Sequence, residues 1–428
     1  MIDKLSKRWM LLFLVAVFSI LCFGMPGIAA GEPGDLPEND ISSVIVIEDP
    51  LVQGETGEDL PEIPVFGTAL WTRTFGGDGN DVGNSVQQTS DGGYIIAGTF
   101  SSTSAKMGQV YLVKTNANGV KQWAKTYGGD GNDVGYSVQQ TSDGGYIIAG
   151  LFSSTSAKGN QVYLIKTNAN GGKLWAKTYG GDGYDVGYSV RQTSDNGYII
   201  AGTFSSTSAK GNQVYLIKTN ANGGKLWART YGGDGYDVGN SVQQTADDGG
   251  YIIAGSFGST SKASQVYLIK TNANGGKLWA KTYGGDGNDY GNSVQQTSNG
   301  GYIIAGVDGS SGSSVEALLL KTNANGVKLW ANTWGGSWYD YGNSVQQTLD
   351  GGYIIAGSLD TMYKDYQVYL IKTNANGKKL WGKAYGDNGF DYGYSVQQTS
   401  DGGYIIAGSY ESSEKGYQVY LVKTGPDG

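Results

Sequence analysis

From Trp71 onward the chain is a rhythm of short apolar runs separated by polar, glycine-rich stretches. From Trp123 it reads WAKTYGG, DGNDVGY, SVQQT, SDGG, YIIAG, the loop LFSSTSAKGN, QVYLIKT, NANGG and KLW. The runs YIIAG (146–150) and VYLI (162–165) are continuously apolar, which predicts strands covered on both faces. SVQQT (137–141) is more polar and suits an innermost strand along a hydrated channel. KLWAKTY (173–179) alternates polar and apolar residues and suits an outer strand with one wet face. SDGG (142–145) and NANGG (168–172) supply the Asn, Asp and Gly residues that tolerate positive φ in tight hairpins. No stretch carries helical periodicity.

The rhythm repeats. Tryptophans recur at Trp71, Trp123, Trp175, Trp227, Trp279, Trp330 and Trp381, a spacing of 52 residues four times and 51 twice. Four strands per unit with doubly covered middle strands predict an all-β, seven-bladed β-propeller, each blade sandwiched between its neighbours. Seven polar strands begin at Ser85 through Ser395, and seven third strands end in Lys114, Lys166, Lys218, Lys270, Lys321, Lys372 and Lys423. The last unit reaches Gly428 with three strands, and TALWTRTF (68–75) offers a fourth. The expectation is a ring over 65–428 whose last blade is completed by the N-terminal strand, removing both sheet edges.

Outside the repeats, residues 1–30 place Lys4, Lys7 and Arg8 before an uncharged run from Trp9 to Phe23 and end in small residues at Ala29 and Ala30. This order reads as a secretory signal peptide, with an uncleaved anchor as the alternative. Cys22 lies inside it, so the exported chain would hold no cysteine and no disulfide. Residues 31–64 form an acidic, proline-containing linker in which SSVIVIED (42–49) has the composition of a further strand. The net charge of −8 resides here: of 30 basic and 38 acidic residues, three basic and one acidic lie in 1–30 and ten acidic in 31–64, leaving 27 of each. A neutral repeat body offers no basic footprint for nucleic acid, and nothing in it inserts into a membrane once the signal is removed.

The turn-plus-strand NANGGKLWAKTYGG resembles the tryptophan-docking element of pyrroloquinoline-quinone-type propellers, in which a Gly-Lys turn leads to an outer-strand Trp. It covers about a quarter of each unit. Those proteins typically have eight blades, an acidic calcium site and often a vicinal disulfide, so the resemblance implies architecture and not the cofactor. TSDGGYII resembles the Asp-box hairpin of sialidase-like propellers without its closing Thr-Trp. SVQQTSDGGYIIAG as a whole is similar to a repeat of secreted bacterial and archaeal surface proteins, which implies a secreted or cell-surface location.

The absence of histidine removes Ser-His-Asp and Cys-His catalysis and His-ligated zinc. A carboxylate pair acting on a glycoside requires an asymmetric cluster, for which Asp308, Glu316 and Asp365 are the candidates. The recurring set Asp81, Asp133, Asp185, Asp237, Asp289, Asp340 and Asp391 is expected to ring one mouth of the channel. GGDGND matches the start of a calcium-binding nonapeptide but fails at its apolar position, Gly83. Calcium needs six to eight converging oxygens, so the bland reading is an aspartate bonded to its own loop. The third-strand lysines fall beside the DGG turns and predict an ion pair such as Lys114–Asp91, with Asn299 in the aspartate's place in the fifth unit.

Functional information should lie where the units differ. The loop between second and third strands reads SSTSAKMG, GSSGSSVE, DTMYKDY and ESSEKGY in units one, five, six and seven. It opens on the side of the recurring aspartates, where aromatic residues also vary: Tyr184, Tyr236, Tyr339 and Phe390 before an aspartate, Tyr136, Tyr188 and Tyr394 before a strand serine, and Trp338. Aspartates and aromatics together form the expected ligand-binding face, with blade packing as the alternative for each ring. The expected function is an extracellular binding or scaffold module for a glycan or protein partner. Alternatives are a carbohydrate-active hydrolase or lyase and a structural surface-layer component.

Overall fold

The computed structural model describes residues 65–102, 107–154, 159–205, 211–259, 262–309, 314–336, 339–361 and 365–428. The expected signal peptide and acidic linker with its 42–49 run, Trp338 and parts of the variable loops lie outside these residues.

Seven four-stranded antiparallel sheets form the seven blades. The first runs outward from Val82–Gln88 through Tyr94–Phe100 and Gln109–Thr115 to Lys121–Tyr127, and five more repeat it. The seventh takes three strands from the C-terminal end, Tyr392–Gln398, Tyr404–Ser412 and Gly416–Thr424, and its outer strand from Trp71–Phe75. Trp71 pairs with Lys423 and Phe75 with Val419. Closure by the N-terminal strand is therefore as the strand count predicts. The preceding residues grip the sixth blade as well: Gly67 N–H donates to Ala384 O at 2.9 Å, and Ala384 N–H to Val65 O at 3.0 Å.

The core is seven layers between blades. Ile95, Ala97, Val110 and Leu112 of the first blade pack on Tyr146, Ile148, Tyr163 and Ile165 of the second, all buried, and six equivalent layers complete the circuit. Removing a side chain such as Leu112 from this setting costs about 2–5 kcal/mol. Each outer-strand tryptophan reaches forward to the next blade. The Trp71 ring stands 5.8 Å from Tyr94 and covers the turn residue Gly119, whose φ is 75° and whose missing Cβ would lie 2.6 Å from the indole. Both constraints demand glycine there, and they recur at every tryptophan down to Trp381 over Gly428.

The innermost strands touch in sequence around the channel, and Tyr392–Gln398 meets Val82–Gln88 to close the circle. No backbone ladder joins them, so their inward amides need side-chain acceptors. Ser85 Oγ accepts from Val138 N–H at 3.2 Å, and the same serine-to-valine bond forms at all seven junctions, including Ser395 to Val86. One tier along, Gln87 Oε1 accepts from Gln140 N–H at 2.6 Å, and five more junctions repeat it. In a third tier Gln140 Oε1 accepts from Ser90 N–H of the preceding blade's turn, again at every junction.

The second tier breaks once. Arg191 occupies the glutamine position of the third blade, and a guanidinium has no acceptor to offer Gln244 N–H. Its side chain is open to water yet enclosed by the surrounding strands, and this desolvation lowers its pKa from the ordinary value.

Two outcomes follow from the ring. Removing residues 65–75 should strip the outer edge of the seventh blade, so hydrogen exchange should quicken first in Gly416–Thr424, while the second to fourth blades hold their protection; uniform protection would contradict closure. Arg191→Gln should restore the missing bond and raise urea-unfolding stability by about 0.5–1.5 kcal/mol.

Candidate functional site

The seven recurring aspartates are not on an open mouth. Each is fully buried. Asp81 Oδ2 accepts from Gly77 N–H and Oδ1 from Ser101 N–H, both at 2.7 Å, while its own N–H donates to Tyr417 O of the preceding blade at 2.7 Å. One aspartate thus pins the crossover between blades and the loop after its own second strand by its carboxylate, and the neighbour's third strand by its backbone amide. Asp133, Asp185, Asp237, Asp289, Asp340 and Asp391 repeat the arrangement. The expected ring of ligand-facing carboxylates is corrected to a ring of loop pins, because the backbone amides of the GGDGND crossover turn the side chain inward. Burial outweighs those amides and pushes the Asp81, Asp340 and Asp391 carboxyls up to about 7. Asp133, Asp185 and Asp237 are raised for the same reason.

The lysines lie where the spacing placed them. Lys114 Nζ is 2.9 Å from Asp91 and donates to Thr115 O at 2.8 Å, and five further blades keep the ion pair. Partial burial alone would raise the Asp91 carboxyl. The Thr89 hydroxyl, the Lys114 ammonium and the Gly93 N–H outweigh it and bring it down to about 2, as they do at Asp143, Asp195 and Asp350. In the fifth blade Lys321 donates to Asn299 Oδ1 at 3.3 Å, and burial lowers its pKa.

The aromatic residues gather in two places. In the second and third blades Tyr136 and Tyr188 stand 5.1 Å apart, with the Tyr184 hydroxyl near both. In the sixth and seventh blades a larger cluster centres on buried Tyr366, which lies 6.2 Å from Tyr341, 6.0 Å from Phe390 and 5.2 Å from Tyr392. Tyr392 stacks on Tyr394 at 6.0 Å with the rings 9° apart and meets Tyr417 at 6.5 Å. Apart from Tyr366 these rings are half-buried. Burial pushes the Tyr341 and Tyr394 hydroxyls up to about 12, and Tyr366, Tyr392 and Tyr417 rise as well, by burial and by neighbouring charges. All are therefore neutral phenols able both to donate and to accept. Carboxylates border them: Glu411 accepts from Phe390 N–H at 2.9 Å, and Asp387 from the Tyr410 hydroxyl at 2.7 Å.

Of the aromatic candidates, Phe390 joins the large cluster and Tyr184 the small one. Tyr339 is half-buried and bridges to Val315, and Tyr236 stands 71% exposed. Sequence reasoning named none of Tyr341, Tyr366, Tyr392 and Tyr417, although Tyr366 and Tyr417 end the variable loops DTMYKDY and ESSEKGY. Their signal was present: Tyr341 and Tyr392 begin strands that open with Val82, Val134, Val186 and Val238 in the first four units and with Tyr290 in the fifth, and Tyr366 and Tyr417 replace Gly108, Asn160, Asn212, Ser264 and Val315. The three candidate acids do not converge. Asp308 faces Glu316 across the fifth blade's hairpin, whereas Asp365 lies in the sixth blade opposite Thr361. Among the described residues no three acidic groups are placed to share a metal ion.

No protein-family model matches the chain, and no curated protein matches it. Among solved structures it is similar to a protein of unknown function from Dyadobacter fermentans, at 8% identity over 83% of this chain and 98% of that one, TM-score 0.48. It is also similar to Sqt1 from Chaetomium thermophilum (9% identity, 81% and 97% covered, TM-score 0.47) and to the Pan2 WD40 domain of Neurospora crassa (10% identity, 81% and 97% covered, TM-score 0.44).

The two sets of aspartates make opposite contributions with pH. A carboxyl raised to about 7 keeps a proton that the unfolded chain releases near 3.8. Its contribution is complete below the unfolded value and is lost as pH rises through 7. A carboxyl lowered to about 2 contributes fully above the unfolded value and loses that contribution as pH falls through 2. Urea-unfolding midpoints should therefore peak near about pH 4 and decline on both sides. A midpoint that climbs steadily from pH 4 to 7 would contradict the burial of the seven pins.

Proposed function

We propose that this chain is a secreted or cell-surface binding module that presents the aromatic cluster of its sixth and seventh blades to a glycan. The observation that carries the reading is where the repeats diverge. Core, turn, pin and girdle positions are nearly constant, whereas phenols replace valine, glycine, asparagine and serine at neighbouring points of one sector. Packing supplies no reason for that difference, because the first four blades close with the smaller residues. Stacked aromatic faces beside neutral hydroxyls and carboxylate acceptors suit the apolar faces and hydroxyl edges of a sugar ring. The signal-like first thirty residues and the neutral, histidine-free body support export and binding over catalysis. A scaffold role fits the same face with a larger partner.

The test is a glycan array followed by titration of the best ligand. Replacing Tyr392 and Tyr417 together by alanine should weaken binding about tenfold or more, given about 0.5–1.5 kcal/mol per aromatic contact, with circular dichroism unchanged. Tyr236→Ala should bind as the parent does. Undiminished binding by the double variant would remove the cluster from the proposed site.

A further inference from the structure

The fifth blade has lost an aromatic pair that five others keep. At the end of the second strand and diagonally across on the same face of the third, Phe100 meets Tyr111 at 5.2 Å. Phe152–Tyr163, Phe204–Tyr215 and Phe257–Tyr267 do so at 5.1 Å, and Tyr410–Tyr420 at 5.3 Å. The phenylalanine ring covers the crossover glycine: a Cβ on Gly77 would lie 3.2 Å from Phe100, and one on Gly233 would lie 3.4 Å from Phe257. The sixth blade retains one ring of the two, with Leu359 beside Tyr369. In the fifth, both are gone. Asp308 stands at the phenylalanine position and Leu318 at the tyrosine position.

The vacated space is a cavity of ≈ 240 Å³ between the fourth and fifth blades. Its walls include Tyr283, Gly285, Leu318, Leu320 and Ala331, with Asp308 and Lys328 as polar neighbours. Leu318 and Leu320 are buried, while Gly284 and Gly285 are exposed, so an apolar floor lies under an open lip. A second cavity, of ≈ 390 Å³, shares Gly285 and is bordered by Lys262, Gln265 and Asp286. The two meet over one glycine, the first with an apolar floor of Leu318 and Leu320 beside Asp289, Asp308 and Lys328, the second more polar.

We propose that this junction docks a partner polypeptide by one aromatic side chain, phenylalanine or tyrosine, seated in the first cavity while its backbone crosses Gly285 into the second. The occupant is identified by the other blades, where a protein's own aromatic ring fills the same place against the same crossover glycine. Amide, carboxylate and ammonium groups along the second cavity match the donors and acceptors of a peptide backbone. A single well-seated aromatic anchor is the usual centre of such an interface. The proposal is independent of the glycan reading, which concerns different blades.

The test uses the full chain and two probes, p-cresol and N-acetyl-L-tyrosinamide, followed by ligand-observed NMR titration. Both should bind saturably at about millimolar concentration, as fragments of this size do. The D308F/L318Y variant, which restores the ring pair, should lose binding of both by tenfold or more. The Tyr392→Ala/Tyr417→Ala variant should keep it. If the double filling variant does not fold, Leu318→Phe alone narrows the cavity and is read in the same way. Binding of cresol without the tyrosinamide would assign the cavity to a free small aromatic and overturn the proposal. So would equal binding by the filled variant, loss of binding in the Tyr392→Ala/Tyr417→Ala variant, or no binding by the parent.

Discussion

The ring depends on how the innermost strands satisfy one another without a backbone ladder. A β-strand with a bare edge exposes amides that water or another chain will claim. Here serine and glutamine side chains reach across each junction and accept from the amides of the adjoining blade, as Ser85 does for Val138 and Gln87 for Gln140. Each bond contributes only about 0.5–1.5 kcal/mol net, but the bonds are linked in a circle. That is why SVQQ is repeated almost without change although much of it is polar, and why Arg191 matters as the one position that leaves the second tier incomplete.

The girdle acts with two further fasteners farther out. Asp81 and its six counterparts hold crossover, loop and neighbouring strand together from a fully buried position, and Trp71 and its counterparts cover the next blade's turn glycine. Inner, middle and outer radii are thus each joined blade to blade. With the ring held at three radii by constant residues, positions between the fasteners are released from packing duty. The phenol cluster around Tyr366 and the Asp308–Leu318 gap both lie at such positions, in the later blades, where the units have diverged most.

Much of this was legible in the chain itself. The tryptophan spacing, the doubly covered YIIAG runs and the incomplete last unit predict the blade count, the strand order and the closing strand at Trp71–Phe75. The lysine positions likewise predict the pairs with Asp91 and its equivalents, and Asn299 marks the blade without one. The aspartates before the innermost strands were misplaced because residue type and spacing do not show which way a loop carboxylate turns. One deciding amide, Gly77, lies in the same crossover as Asp81, but the other, Ser101, lies on a loop that only the folded blade brings beside it. The Tyr366 cluster was half visible, since Phe390 and Tyr394 were marked by their variation. Tyr366 and Tyr417 lie within the loop-adjacent strand ends and converge on Tyr392 only through the ring. The loss of Phe100 and Tyr111 equivalents at Asp308 and Leu318 is plain in the sequence, but its meaning requires knowing that the two positions meet diagonally across the hairpin.

The central claim is a closed ring in which the junction between last and first blades is the equal of those within the chain. Ser395 and Val86 are 309 residues apart, whereas Ser137 and Val190 are 53 apart, yet both pairs bond at 3.2 Å. Measuring the urea-unfolding stability of Ser395→Ala and Ser137→Ala side by side tests this directly. Equal losses of about 1 kcal/mol are expected. A silent Ser395→Ala beside a costly Ser137→Ala would show that the ring is open.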